Sequence, residues 1–157
     1  RHVSGTFDRI VSIEMFEAVG QAYWPDYFST LRAYLRPGGG AAVQVITIDD
    51  ARFERYRRQP DFIQLRVFPG GMLPSPSAFS AAAAAGGLAV TDAFDFGLSY
   101  AQTLRHWRNS FEAAWPSLEK QGFDKAFQRI WRYYLCYSEA GFDAHTISVA
   151  HYRLEAA

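Results

Sequence analysis

The chain lacks most of the features that make a function readable at first sight. It has one cysteine, Cys136, in 157 residues. An internal disulfide is therefore excluded, and a reduced, cytoplasmic setting is expected. Of the four histidines, His2, His106, His145 and His151, none pairs at the helical spacing of metal ligands, so no metal site is expected. No P-loop or GxGxxG pattern occurs, no Ser-His-Asp set can be singled out, and no run of 18 apolar residues is present to span a bilayer. Lys plus Arg (16) equals Asp plus Glu (16). A net charge of zero gives no overall pull toward nucleic acid or an anionic surface, and no nucleic-acid partner is expected. Neither a signal peptide nor an initiating Met is present, and Arg1-His2-Val3 reads as a cut through a longer protein.

Aromatic residues are plentiful, with 13 Phe, 9 Tyr and 4 Trp. They suit either an aromatic core or a large apolar cavity. The patterning is that of an α/β protein. Phe7–Ile13 reads as a strand covered on both faces. Tyr23–Leu35 reads as a helix, with Tyr27, Phe28, Leu31, Tyr34 and Leu35 at helical spacing. Arg36-Pro37-Gly38-Gly39-Gly40 reads as its stop, and Ala41–Ile48 as a second strand. Strand, helix, glycine stop and strand make up a parallel crossover unit. A mainly helical insertion is expected over about 50–87, with a turn-rich loop at Pro69–Ser77 and a helix capped by Ser77 that ends at Gly86-Gly87. Leu88–Phe96 reads as a third strand. Two helices follow at Tyr100–Ser117 and Phe123–Tyr137, within a helical segment of about 100–140. In the second, Phe123, Phe127, Ile130, Trp131, Tyr134 and Leu135 form one stripe. Thr146–Leu154 reads as the last strand.

The segment FDRIVSIEMFEAVG places two carboxylates, Glu14 and Glu17, just past the end of the first strand. In open α/β sheets, that is where ligands sit. Glu17 lies among apolar neighbours, where a carboxylate needs a partner. It reads either as a proton-handling group or as a helix N-terminal acid favoured by the helix dipole. Glu14 reads as a cofactor contact or a turn cap. Gln44 and Ile46 share one face of the second strand, and a Gln in AAVQVITI needs a partner, either a ligand or a neighbouring backbone group. Tyr100 near a helix start and Cys136 in an aromatic helix read as packing residues. The basic run Arg52–Arg58 reads either as a solvated helix face or as a phosphate contact.

Taken in order, FDRIVSIEMFEAVG, QVITI, DFIQLRVFPGGMLPS, YAQTLRHWRNSF and RIWRYYLCYSEAGF resemble the C-terminal half of the cyclopropane-fatty-acyl-phospholipid synthases, S-adenosylmethionine-dependent methyltransferases. The pattern SIEM-x-EAVG with Q-x-ITI and FPGG-x-LPS is most similar to the branch that includes the plant enzymes. The resemblance implies the C-terminal part of a Rossmann-like class I methyltransferase sheet with added helices and an antiparallel last strand. It also implies S-adenosylmethionine as cofactor, with bicarbonate as the base, and the cis double bond of an unsaturated phospholipid acyl chain as substrate. Methylene transfer would yield a cyclopropane; a methyl- or methylene-branched chain and a non-catalytic lipid-binding remnant are the alternatives. By the same resemblance, Glu17, Tyr100 and the backbone N–H of Ile46 would surround bicarbonate. Gln44 would stand where many relatives have His, and Ser138 where relatives often have Cys. Ile13, with Glu14 beside it, would touch the cofactor. The glycine-rich cofactor loop falls outside these residues, so the segment alone is expected to be inactive and prone to aggregate through bare strand edges. Peripheral contact with the inner face of a membrane would run through Arg52–Arg58 and Phe68–Ser75.

Overall fold

A computed structural model describes residues 3–157, so His2 lies outside the described residues. The chain forms two compact units, one running to Asp95 and resuming over Val149–Ala157, the other spanning Phe96–Ser148.

The first unit is a four-stranded sheet with helices. β1 is Phe7–Ile13, α1 Trp24–Tyr34, β2 Leu35–Ile48, α2 Asp50–Tyr56, α3 Phe62–Arg66, α4 Pro76–Ala85, β3 Leu88–Asp95 and β4 Ile147–Ala156. The strand order is β1-β2-β4-β3. β1 and β2 are parallel, from Arg9↔Gly40 to Ile13↔Gln44, while β3 and β4 are antiparallel. The expected α/β class and antiparallel last strand are therefore present.

Three expectations about this unit need correction. β1 has one neighbour among the described strands, and only its Ser12 is buried. Val11 and Ile13 are 66% and 57% exposed, so the strand is not covered on both faces. Second, Arg36–Gly40 does not stand outside the strands; β2 begins at Leu35. Phe7 pairs with Leu35 but Arg9 already pairs with Gly40, so the intervening residues bulge. Gly38 turns the chain at a φ of 74°, and a Cβ on Gly39 would press on the carbonyls of Arg36 and Asp8. Third, Ser75 rather than Ser77 caps α4, accepting from the Ala78 N–H at 3.2 Å. Ser77 instead donates its hydroxyl to Asp50.

The core of this unit is aromatic. Phe16 is fully buried, its ring 4.9–5.3 Å from those of Trp24, Tyr27, Phe28 and Phe79. Such pairs add about 0.5–1.5 kcal/mol each beyond their burial. Gly86 ends α4 where an added Cβ would collide with Phe28, so α1 and α4 approach closely.

The second unit is a hairpin of α5 (Gly97–Lys120) and α6 (Lys125–Asp143). Both are longer than the pattern suggested, and α5 carries Pro116 inside it. Asp124 caps α6 by accepting from the Phe127 N–H at 2.7 Å. Arg105 and Arg108 pair with Glu139 at 2.9 and 3.1 Å, and Arg132 pairs with Glu112, an antiparallel arrangement. The expected stripe on the second helix is covered in part, with Leu135 buried and Phe127, Trp131 and Tyr134 half-buried. Within α6 only Leu135 and Phe142 are buried, while Phe123 and Ile130 are exposed. Phe127 stacks on Trp131 at 5.7 Å and lies 6.4 Å from Phe111 of α5. Cys136 is exposed rather than a packed thiol.

Candidate functional site

The turn after β1 is held from several sides. Glu14 adopts a φ of 47°, a left-handed conformation that costs a non-glycine residue roughly 1–2 kcal/mol. Its N–H donates to the Gln44 carbonyl at 2.9 Å, continuing the β1–β2 ladder one step past the strand. Phe16 then drops into the aromatic core, and a short 3-10 turn over Phe16–Ala18 carries Glu17. The Glu17 carbonyl accepts from the Met72 N–H at 2.8 Å. The loop of PGGMLP is itself fixed, since the Gln64 amide donates to the Gly71 carbonyl at 2.9 Å and the Ile48 N–H to the Pro74 carbonyl at 3.0 Å.

This scaffold brings Ile13, Glu14, Glu17, Gln44 and Ile46 together. The Ile46 N–H donates to Glu17 Oε1 at 2.6 Å. Glu17 Oε2 is buried with no hydrogen-bond partner. Burial raises the pKa of Glu17 above the ordinary 4.5, the N–H donors of Ile46 and of Glu17 itself oppose that, and the nearby Glu14 charge adds to the rise. Gln44 donates to Glu14 Oε1 at 2.7 Å. Ile13 ends β1 exposed. Gln44 and Glu17, anticipated as needing partners, thus find them in Glu14 and in the Ile46 N–H.

Tyr100 and Ser138 stand in the helical unit, both half-buried, on α5 and α6. The Tyr100 ring lies 4.9 Å from Phe142 and 6.0 Å from Trp107.

Three features escaped the sequence. His151 on β4 meets Gln44 Oε1 at 2.9 Å across 107 positions of chain. In the structure, buried Ala150 and Tyr152 flank the exposed His151 and set its side chain on the opposite face. The Met72 N–H link to Glu17 depends on a loop path that periodicity does not encode. Tyr27 donates to buried Ser12 at 2.8 Å, and burial raises the Tyr27 pKa against that hydrogen bond.

Chemically, a neutral Glu17 can present a proton from Oε2 to an anionic oxygen, which an ionised one would repel. Gln44 contributes less directly, because its amide is engaged at both ends.

The family model for mycolic acid cyclopropane synthetase matches residues 1–152. The chain is 43% identical over 155 residues to the tuberculostearic acid methyltransferase of Mycobacterium tuberculosis, covering 98% of this chain and 36% of that protein. It is 32% identical over 149 residues to the cyclopropane-fatty-acyl-phospholipid synthase of Escherichia coli K12, covering 95% and 37%. Among solved structures, it superposes with a TM-score of 0.87 and 26% identity on a mycolic acid cyclopropane synthase complexed with SAH and CTAB, covering 98% of this chain and 56% of that one. The chain thus spans little more than a third of the length of these curated relatives.

Proposed function

This chain belongs to the mycolic acid cyclopropane synthetase family, and from that membership we propose that it forms part of an enzyme that moves one carbon from S-adenosylmethionine to the cis double bond of a phospholipid acyl chain. The observation that carries this reading is the carboxylate cluster past β1, where Glu17 combines a raised pKa, a bond from the Ile46 N–H and a bare buried oxygen.

In the proposed reaction, an alkene carbon attacks the sulfonium methyl group. A C–C bond forms as the S–CH3 bond breaks, leaving a carbocation and neutral S-adenosylhomocysteine. Loss of a proton from the transferred methyl with ring closure gives a cyclopropane. Bicarbonate, when bound, supplies the base for that proton. Glu17, itself fixed by the Ile46 N–H, would hold it, with Gln44 acting through its bond to Glu14. Ile13 and Glu14 would contact the cofactor at the end of β1. A fixed polar wall in an apolar surrounding stabilises developing charge more than water does, because the screening is weaker.

The 43% identity to a tuberculostearic acid methyltransferase, against 32% to the cyclopropane synthase, favours a second reading. Loss of a proton from a chain carbon instead gives a branched, still unsaturated product. A saturated methyl branch needs a hydride donor in addition. The cyclopropane and the unsaturated branched product differ only in which C–H bond is broken.

Membrane contact is proposed through the exposed arginines of α2 and the exposed Phe68. Among the described residues no helix is long and apolar enough to cross a membrane.

The test expresses the full-length protein with methyl-labelled S-adenosylmethionine and cis-unsaturated phospholipid, then analyses the acyl chains by mass spectrometry and NMR. A gain of CH2 with the double bond consumed supports the cyclopropane. A gain of CH2 with unsaturation retained supports the branched chain. Cofactor-binding protein that transfers no label to lipid ends both readings.

A further inference from the structure

Gln44 makes more bonds than a place in the ladder requires. Its carbonyl accepts from the Glu14 N–H at 2.9 Å, and its side-chain amide donates to Glu14 Oε1 at 2.7 Å. The other end of that amide, Oε1, lies 2.9 Å from His151 Nε2. A carboxylate accepts and does not donate, so the NH2 of Gln44 must face Glu14 and its oxygen must face the imidazole. An amide oxygen also only accepts, so His151 Nε2 must carry a proton. Donation therefore runs one way, from His151 on β4 through Gln44 on β2 to Glu14 at the end of β1, across three neighbouring strands. The Phe94 ring, 6.4 Å from the imidazole, flanks it on the β3 side. The alternation of β4 delivers His151 to this face, since Ala150 and Tyr152 turn into the core.

We propose that His151 is a positioning residue that acts through Gln44 to hold the Glu14 carboxylate in one orientation beside the cofactor. Aligned donors polarise one another, so each bond in the relay strengthens the next. Without the ring N–H, the Gln44 oxygen is released and the amide is held at one end only. Glu14 keeps its bond from the Gln44 amide, but that amide is less firmly oriented, on a turn already at a positive φ. The kinetic consequence rests on the proposed cofactor role of Ile13 and Glu14; the relay itself does not.

The test compares full-length wild type with His151→Phe, which keeps a ring against Phe94 but removes the donor, and His151→Gln, which restores an N–H. His151→Phe is expected to raise the KM for S-adenosylmethionine about three- to tenfold, the scale of one hydrogen bond, with a smaller change in kcat. His151→Gln is expected to recover most of that loss. A KM for His151→Phe equal to that of wild type, or equal impairment in the two variants, overturns the proposal. Nitrogen-15 spectra of the imidazole, taken where the ring is neutral, provide a readout independent of turnover. A proton on Nε2 supports the relay, and a proton on Nδ1 overturns it. Wild-type protein that transfers no label to lipid would instead overturn the proposed function and leave the imidazole result standing.

Discussion

Glu17 in the sheet unit and the acidic groups of the helical hairpin are held in different ways. In the sheet unit, Glu17 is half-buried and bonded to a backbone N–H, and one of its oxygens has no partner at all. In the helical unit, Glu112, Glu139 and Asp143 bind arginines on the opposite helix at or near the surface. A carboxylate answered by guanidinium groups is satisfied, and its pKa falls, as the Arg132 hydrogen bond makes it do for Glu112. A carboxylate answered by burial keeps unspent capacity, and its pKa rises. The first arrangement is a fastening. The second is a means of meeting an anion or moving a proton.

The largest expected effect that sharpens this contrast is on the scaffold. Phe16→Ala empties the centre of the aromatic cluster one residue from Glu17 and should destabilise the sheet unit by about 3–5 kcal/mol, read by urea denaturation. Loss under about 1 kcal/mol would mean that the cluster does not hold the turn.

Next comes Glu17→Gln. It keeps an acceptor for the Ile46 N–H but cannot ionise. Turnover of the full-length protein should fall about a hundredfold with cofactor affinity nearly unchanged. Equal loss of both would make Glu17 structural. The same variant tests the raised pKa. The native state retains the Glu17 proton to higher pH than the unfolded chain does, so wild-type stability declines as pH rises from the ordinary 4.5 through the folded pKa. Below 4.5 that penalty is absent, and above the folded value it is fully present. Glu17→Gln should therefore show a flatter rise-of-pH dependence of Tm than wild type, checked by a melting series.

In the helical unit, Asp124→Ala removes the cap of α6 and should cost about 1 kcal/mol, measured as a lowered Tm. The smallest effect is expected for Glu112→Gln. It breaks an exposed ion pair, and any difference from wild type should fade as salt is added. A salt-independent loss would mean that the pair is more than a fastening.

Much of the sheet unit was legible because its signals are local. The limits of β1 follow from its apolar run and the carboxylates that end it, and Glu14, Glu17, Gln44 and Ile46 were singled out by type and spacing. What failed was non-local. Three glycines after Arg36-Pro37 look like a helix stop, yet pairing with Phe7–Arg9 draws them into β2 as a bulge. Ser75 and Ser77 are equally good caps on paper, and the side chain of Asp50, far back in the chain, claims Ser77. His151 had no local mark, because its meaning comes from the strand order that places β4 against β2.

The bond from Ile46 to Glu17 has a further use. A backbone amide in a strand ordinarily reports on its neighbouring strand. This one reports on a side chain, and the bond is strong when that side chain is charged and weaker when it is neutral. The Ile46 amide resonance should therefore move with pH along the titration curve of Glu17. The protein carries its own indicator for the protonation of its central acid, one that needs neither label nor substrate.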